Sequence, residues 1–231
     1  MMQDNAATAA RTYVEIKSRI ISCSYSPGSK ISEARLAEEL GVGRSPIRSA
    51  LARLRSEGWI DVSPQSGSYV KSLSEQEMRE IFDFRHLLET HVARLAAQNI
   101  HDKQLRKLRT ALRRAKPLDS DGYDKETFDE FDSFDSLVHS TLYEAGGNSL
   151  MTSALLNLLE KAQWLKQATS PSTPVRLKTW FVELERIIEA LEARDPDLTA
   201  QRVSEHIDHA ADFEITHAAD AKRPAKSTHT T

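Results

Sequence analysis

Apolar residues in this chain recur every three or four positions almost throughout and alternate in only one place. Between residues 9 and 22 they mark a short amphipathic helix, which ends before the turn residues Pro27 and Gly28 of SYSPGSK. Ser32 can cap a second helix, EARLAEEL, with Gly41 just past its end. After the tight GVGR turn, Ser45 and Pro46 stand in the order of a cap followed by proline, opening a third helix that runs to about Glu57. Beyond Gly58 the period drops to two in WIDV and SYV, joined by SPQSG, which predicts a hairpin.

From KSLSEQ onward only the helical period remains. It predicts helices over 75–99, 102–116, 123–145, 148–168, 174–194 and 197–217, with breaks at Pro117, Gly146–Gly147, Pro171, Pro174 and Asp195–Pro196. The polar tail AKRPAKSTHTT is expected to be disordered. Two short helices, a glycine turn and a two-stranded ribbon make a winged helix-turn-helix. The expected fold is therefore mainly α: a winged helix-turn-helix over 8–72, an all-α helical bundle over 76–218, and a tail over 219–231.

Composition agrees with this and narrows the setting. The 231 residues are 39% hydrophobic and 28% charged, with 8 Gly and 8 Pro, which fits a folded, helix-rich protein. No apolar run approaches the roughly 20 residues needed to cross a bilayer. The first residues lack a secretory signal pattern, and Cys23 stands alone, so a reducing cytoplasm is expected. Residues 1–72 carry 10 Lys/Arg against 7 Asp/Glu, whereas the remainder carries 21 against 27. A polyanion would therefore bind the front of the chain.

The third helix begins with Arg44, Ser45, Pro46 and Arg48, while Ile47, Leu51 and Leu54 form its apolar stripe. In a helix-turn-helix the start of this helix enters the major groove, where arginine can make paired hydrogen bonds to guanine. The run LAEELGVGRSPIRSALARLRSEGWIDVSPQSGSYV resembles the DNA-binding domain of the GntR family, whose pattern is close to LAxxLGVSRTPVRxALxxLxxxGLV…GxxV. The resemblance implies that Arg44, Ser45, Pro46 and Arg48 begin the recognition helix and that Gly67 forms the tip of the wing. Gly43 stands where that family has Ser or Thr, and Ser66 where an arginine often precedes the wing glycine.

Polar groups also interrupt the apolar stripes of the back half. Arg85 lies in the stripe Met78, Ile81, Phe82, Leu88, Val92, Leu95, one turn before Glu89. A buried charge must be paired, so Arg85 faces Glu89, another carboxylate or the acid group of a ligand. Asp135 and His139 lie one turn apart on another stripe, and His206 sits on the last helix. Singly these read as core ion pairs or satisfied histidines; together they point to a ligand cavity inside a helical bundle. Asn148, His91 and Trp164 are further candidates for the effector site, and Asn148 can equally cap the helix after Gly146–Gly147.

The stretches IFDFRHLLETHVARLAA, FDSLVHSTLYEAGGN and RIIEALEARD…AQRVSEHI resemble the FCD effector domain of the FadR-type branch, in its six-helix, VanR-like variant. The resemblance implies a divalent metal such as zinc on Asp135, His139, position 184 and His206, but position 184 is Leu. Two readings stay open: a three-ligand metal site, or a pocket in which Asp135, His139 and His206 bind an organic effector directly. The function expected from both resemblances is a ligand-responsive transcriptional repressor. It would bind a palindromic operator as a homodimer and a small carboxylate through Arg85, Asp135, His139, Asn148 and His206. A metal-dependent enzyme on Asp135, His139 and His206 is the alternative, although no general base or activated nucleophile accompanies them. An architectural DNA protein is disfavoured by the acidic back half.

Overall fold

The computed structural model describes residues 2–64, 66–115, 125–169 and 174–221. The expected breaks at Pro117 and Pro171, and the tail from residue 222, lie outside the described residues. The chain divides into two compact units. One comprises residues 1–74 with 164–168, the other residues 75–163 with 169–231.

The first unit contains α1 (Met2–Ile21), β1 (Lys30–Ile31), α2 (Glu33–Leu40), α3 (Arg44–Ser56), β2 (Ile60–Ser63) and β3 (Gly67–Val70). α1 starts earlier than its apolar stripe predicts. Ser32 caps α2 by accepting the Arg35 N–H at 3.4 Å, and Gly41 closes it in the left-handed region at φ 61°. The cap of α3 differs from the expected one. Gly43 is the N-cap and makes no side-chain cap hydrogen bond, so Ser45 and Pro46 lie inside the first turn. Proline is tolerated there because the first N–H groups of a helix have no intrahelical acceptor.

The hairpin forms with Ile60 opposite Val70 and Ser63 opposite Gly67, and β1 adds a third antiparallel strand, pairing Lys30 with Tyr69. Two residues are too few to show a period, which is why β1 left no trace in the sequence pattern. Ile16, Ile20, Ile47, Leu54, Trp59 and Val70 form the core of this unit. Trp164 completes it, edge-on to Trp59 with ring centroids 5.6 Å apart.

The second unit is all helical: α4 (Glu75–Asn99), α5 (Asp102–Arg114), α6 (Lys125–Ala145), α7 (Ser149–Thr169) without its last turn, α8 (Pro174–Glu192) and α9 (Pro196–Ala221). All six expected helices are present, α9 running past residue 217 into what the pattern assigned to the tail. Buried Ala93, Ala96 and Ala97 give α4 a flat stripe, and α9 is its main packing partner. Asp195 caps α9 by accepting the N–H groups of Asp197 and Leu198 at 3.1 and 3.0 Å, with Pro196 as the first helical residue. The α8 stripe Leu177, Trp180, Phe181, Leu184, Ile187, Ile188 and Leu191 is buried throughout, and Trp180 stacks on Phe131 at 5.8 Å. No helix among the described residues is long and apolar enough to cross a membrane.

Gly146, just after α6, is a packing contact rather than only a break. A Cβ placed there would stand 2.6 Å from Val92 Cγ1 on α4. Gly146→Ala is therefore expected to lower stability by about 1–3 kcal/mol through overpacking, measured as a lower urea midpoint with unchanged slope.

Candidate functional site

At the start of α3, Arg44, Ser45 and Arg48 are exposed, whereas Pro46 is buried. The ring of Pro46 thus fixes the first turn from the core side, which corrects its expected place among contact residues. The Nε–H of Arg48 donates to Glu33 Oε2 at 2.9 Å, an exposed pair that holds the guanidinium beside α2. Gly67 opens β3 at φ 117°, where an added Cβ would meet Lys30 Cε at 3.1 Å. Backbone conformation, more than a side chain, dictates glycine at the wing.

In the helical unit, α4, α6, α8 and α9 contribute a buried chain of charges. Arg85 Nε–H donates to Glu89 Oε1 at 2.7 Å, and the other Glu89 oxygen is 2.7 Å from His139 Nδ1. His139 Nε2 faces His206 Nε2 at 3.3 Å. His206 Nδ1 lies 2.9 Å from Glu183 Oε2, and Glu183 Oε1 lies 2.8 Å from Nδ1 of the half-exposed His209. Asp135 Oδ1 sits 3.7 Å from His139 Nε2 and 3.4 Å from His206 Nε2. Of the four positions that the resemblance brings forward, three therefore converge: Asp135, His139 and His206 offer ligand atoms within 4.8 Å of one another. Leu184 is fully buried on α8, one residue after Glu183.

The tautomers follow from the partners. A carboxylate only accepts, so in the neutral rings each Nδ1 carries the proton and each Nε2 presents a lone pair to the centre. Two such lone pairs and a carboxylate oxygen at these distances repel unless a proton or a cation lies among them. Burial alone would lower the pKa of His206, but its hydrogen bonds to Asp135 and Glu183 raise it above 6.5. For Glu89, burial works toward protonation and is overcome by the Arg85 charge and by His139, which hold the group at about 2. Burial likewise opposes the charge of Glu183, whose pKa is still lowered through its bond to His206.

The interior charge does not balance. Among the described residues of this unit, Glu89, Asp135, Glu183 and Glu214 are buried against only Arg85 and Arg176, an excess of two negative charges. A divalent cation, or two imidazolium protons, neutralises that excess. The donor set of two imidazole nitrogens and a carboxylate suits zinc, with Leu184 leaving the site one protein ligand short of four.

Other expected residues lie elsewhere. Arg85 is committed to Glu89 and thereby orients His139, without reaching the centre. Asn148 is exposed and caps α7, accepting the N–H groups of Leu150 and Met151 at 3.1 Å. His91 is exposed on α4. Trp164 belongs to the core of the first unit. Sequence reasoning missed Glu183 and His209, each a polar residue one turn from a stripe position, as solvated helix residues also are. It also missed Arg176, whose buried guanidinium lies over the rings of Trp180 and Phe213 at 4.2 and 4.8 Å and whose pKa burial pulls down.

A winged helix-turn-helix followed by an all-helical unit with a buried carboxylate–histidine centre is the architecture of a transcriptional regulator. Residues 8–70 match bacterial regulatory proteins of the gntR family and residues 80–209 match the FCD domain. The chain belongs to the gntR family and carries an FCD domain. It is 32% identical over 211 residues to the gluconate operon transcriptional repressor of Bacillus licheniformis, covering 88% of this chain and 83% of that one. To the HTH-type transcriptional repressor RspR of Escherichia coli K12 it is 26% identical over 197 residues, covering 84% and 83%. In fold it is similar to E. coli McbR/YncC, with a TM-score of 0.78, 19% identity, and 90% and 97% of the two chains covered.

The pKa shifts of Glu89 and His206 act in opposite directions on stability. Glu89, lowered from 4.5 to about 2, stabilises the fold above pH 4.5 and loses that contribution as the pH falls toward 2. His206, raised above 6.5, contributes fully below 6.5 and loses its contribution as the pH climbs through its folded value. Chelator-treated protein should therefore show its highest Tm between about pH 4.5 and 6.5. Glu89→Gln should cost about 3 kcal/mol by leaving Arg85 buried without its carboxylate, and should flatten the acid limb of the Tm profile.

Proposed function

We propose that this chain is a transcriptional repressor that binds a palindromic operator as a homodimer and changes its operator affinity when a small carboxylate effector occupies the helical unit. The observation that carries the reading is the buried Asp135–His139–His206 centre, with each imidazole oriented by its own carboxylate and the interior two negative charges in excess. Such a centre costs stability unless a cation or ligand completes it, which is how a sensing unit couples binding to conformation. The repressor role is supported by the relatives of that description. DNA contact is assigned to the exposed Arg44, Ser45 and Arg48 at the start of α3, with Gly67 at the wing. Two recognition helices reading half-sites about one turn (~34 Å) apart require a dimer.

Asp135, His139 and His206 are the residues that would hold a divalent cation. Bound there, it would supply a positive charge on which an effector carboxylate can be anchored. Glu89 and Glu183 keep both Nε2 lone pairs turned toward it, and Arg85 fixes Glu89. The direct organic reading keeps the same residues and puts an effector donor among them; the imbalance of interior charge favours the cation.

Arg44→Ala and Arg48→Ala should each weaken operator binding by about tenfold or more in a gel shift at fixed salt, since a lost bidentate base contact is worth about 1–3 kcal/mol. Retention of full affinity by the double variant would remove α3 as the reading element. Leu184→His adds a fourth ligand and should tighten zinc binding at least tenfold in a chelator competition, whereas Asp135→Asn should weaken it to a similar degree. Equal zinc affinity in all three proteins would sink the metal assignment.

A further inference from the structure

α5 stands apart from the acidic unit that contains it. Its sequence DKQLRKLRTALRR carries Lys103, Arg106, Lys107, Arg109, Arg113 and Arg114 against one acid, Asp102. Arg109 pairs with Glu192 of α8 in a bidentate contact. The remaining cations are arranged differently. Lys103, Arg106, Lys107 and Arg114 are exposed on one side of the helix, and among the described residues none of the four has an ion-pair partner. Like charges at this spacing repel along a helix, so the arrangement works against α5 unless something offsets it.

These four residues rim a groove of about 650 Å³ between α5 and α6. Its floor is apolar, built from Phe134 and Leu137 of α6 with Ala111 and Ala115 of α5, and among the described residues Glu130 is the only carboxylate in the lining. The volume lies within the roughly 300–1,000 Å³ of small-molecule sites. The groove uses the α6 stripe of Phe134 and Leu137, neighbouring the stripe of Asp135 and His139, and none of its lining residues belongs to the histidine centre.

We propose that this groove binds an organic oxyanion with an apolar body, such as an alkyl or aryl phosphate or carboxylate. Its head group would lie among Lys103, Arg106, Lys107 and Arg114, and its body on Phe134 and Leu137. The chemistry is complementary in both parts. Guanidinium and ammonium groups on a mobile rim recognise an oxyanion through charge-assisted hydrogen bonds, with Arg106 and Arg114 able to engage two oxygens at once. An apolar floor gives nothing to a bare inorganic anion but shelters a hydrocarbon from water. The stems of the two lysines extend the apolar wall while their ammonium groups stay at the rim. The site is independent of the one proposed for the effector, and the two can fail separately.

Octyl phosphate is the probe, titrated calorimetrically into the full chain below its micellar range, with inorganic phosphate and octyl glucoside as separate arms. Saturable binding of one octyl phosphate per chain is expected, at least tenfold tighter than either control. Arg106→Glu/Lys107→Glu should abolish it, and Thr110→Trp, which narrows the groove without changing charge, should weaken it at least tenfold. Both variants should keep the wild-type circular dichroism, because the substituted side chains are exposed. Asp135→Asn should leave octyl phosphate binding unchanged, which separates this groove from the histidine centre. Binding that is lost in Asp135→Asn, or kept in both groove variants, overturns the proposal. So does octyl phosphate binding no better than inorganic phosphate, as for a merely solvated basic face. If Arg106→Glu/Lys107→Glu weakens duplex DNA binding while octyl phosphate does not bind at all, the face belongs to DNA and the proposal fails.

Discussion

The helical unit depends on one electrostatic constraint: charges placed in its interior must be answered there. Arg85 is answered by Glu89, Glu89 also by His139, and His206 by Glu183. The series continues until it reaches solvent at His209. Each step adds a hydrogen bond to a charged group, which is worth more than a neutral one and leaves a larger penalty when one partner is removed. Four helices must therefore hold their registers together, since a shift of one residue along any of them would strand a buried charge. Apolar packing supplies most of the stabilisation, whereas this network selects one arrangement of it.

The same constraint shapes the centre that we propose as a binding site. Because both Nδ1 atoms are occupied by carboxylates, both Nε2 atoms are left facing each other beside Asp135. Among the described residues of the unit, four buried carboxylates stand against two buried guanidinium groups. The residues of the centre are themselves buried, and a dry surrounding strengthens whatever electrostatic contact is made there.

In the first unit the governing constraint is backbone geometry rather than charge. Gly41 and Gly67 take positive φ values of 61° and 117°, ending α2 and opening β3. Between them the exposed start of α3 is presented by a buried Pro46 and by Ile47, Leu51 and Leu54 below it. The cationic side chains at that end need no support from one another, because solvent carries the cost of their charge.

Much of this was legible in the chain itself. Local physics wrote most helix boundaries: Ser32 as a cap, Gly41 as a left-handed terminus, Asp195–Pro196 as a break, and the period of three to four through α4 to α9. Asp135 and His139 could be paired by helical spacing alone, as could Arg85 and Glu89. The sequence could not show that these two pairs meet, since residues 50 apart come together only when α4 packs on α6. Glu183 and His209 gave no signal because a polar residue beside an apolar stripe reads the same whether it faces water or an imidazole. Asn148 read equally well as cap or ligand, and its exposure decided for the cap. Patterns of period and capping act between neighbours along the chain, so sequence determined the helices and the hairpin, though not the two-residue strand β1. Which buried charges answer one another depends on distances across helices, and those exist only once the bundle has closed.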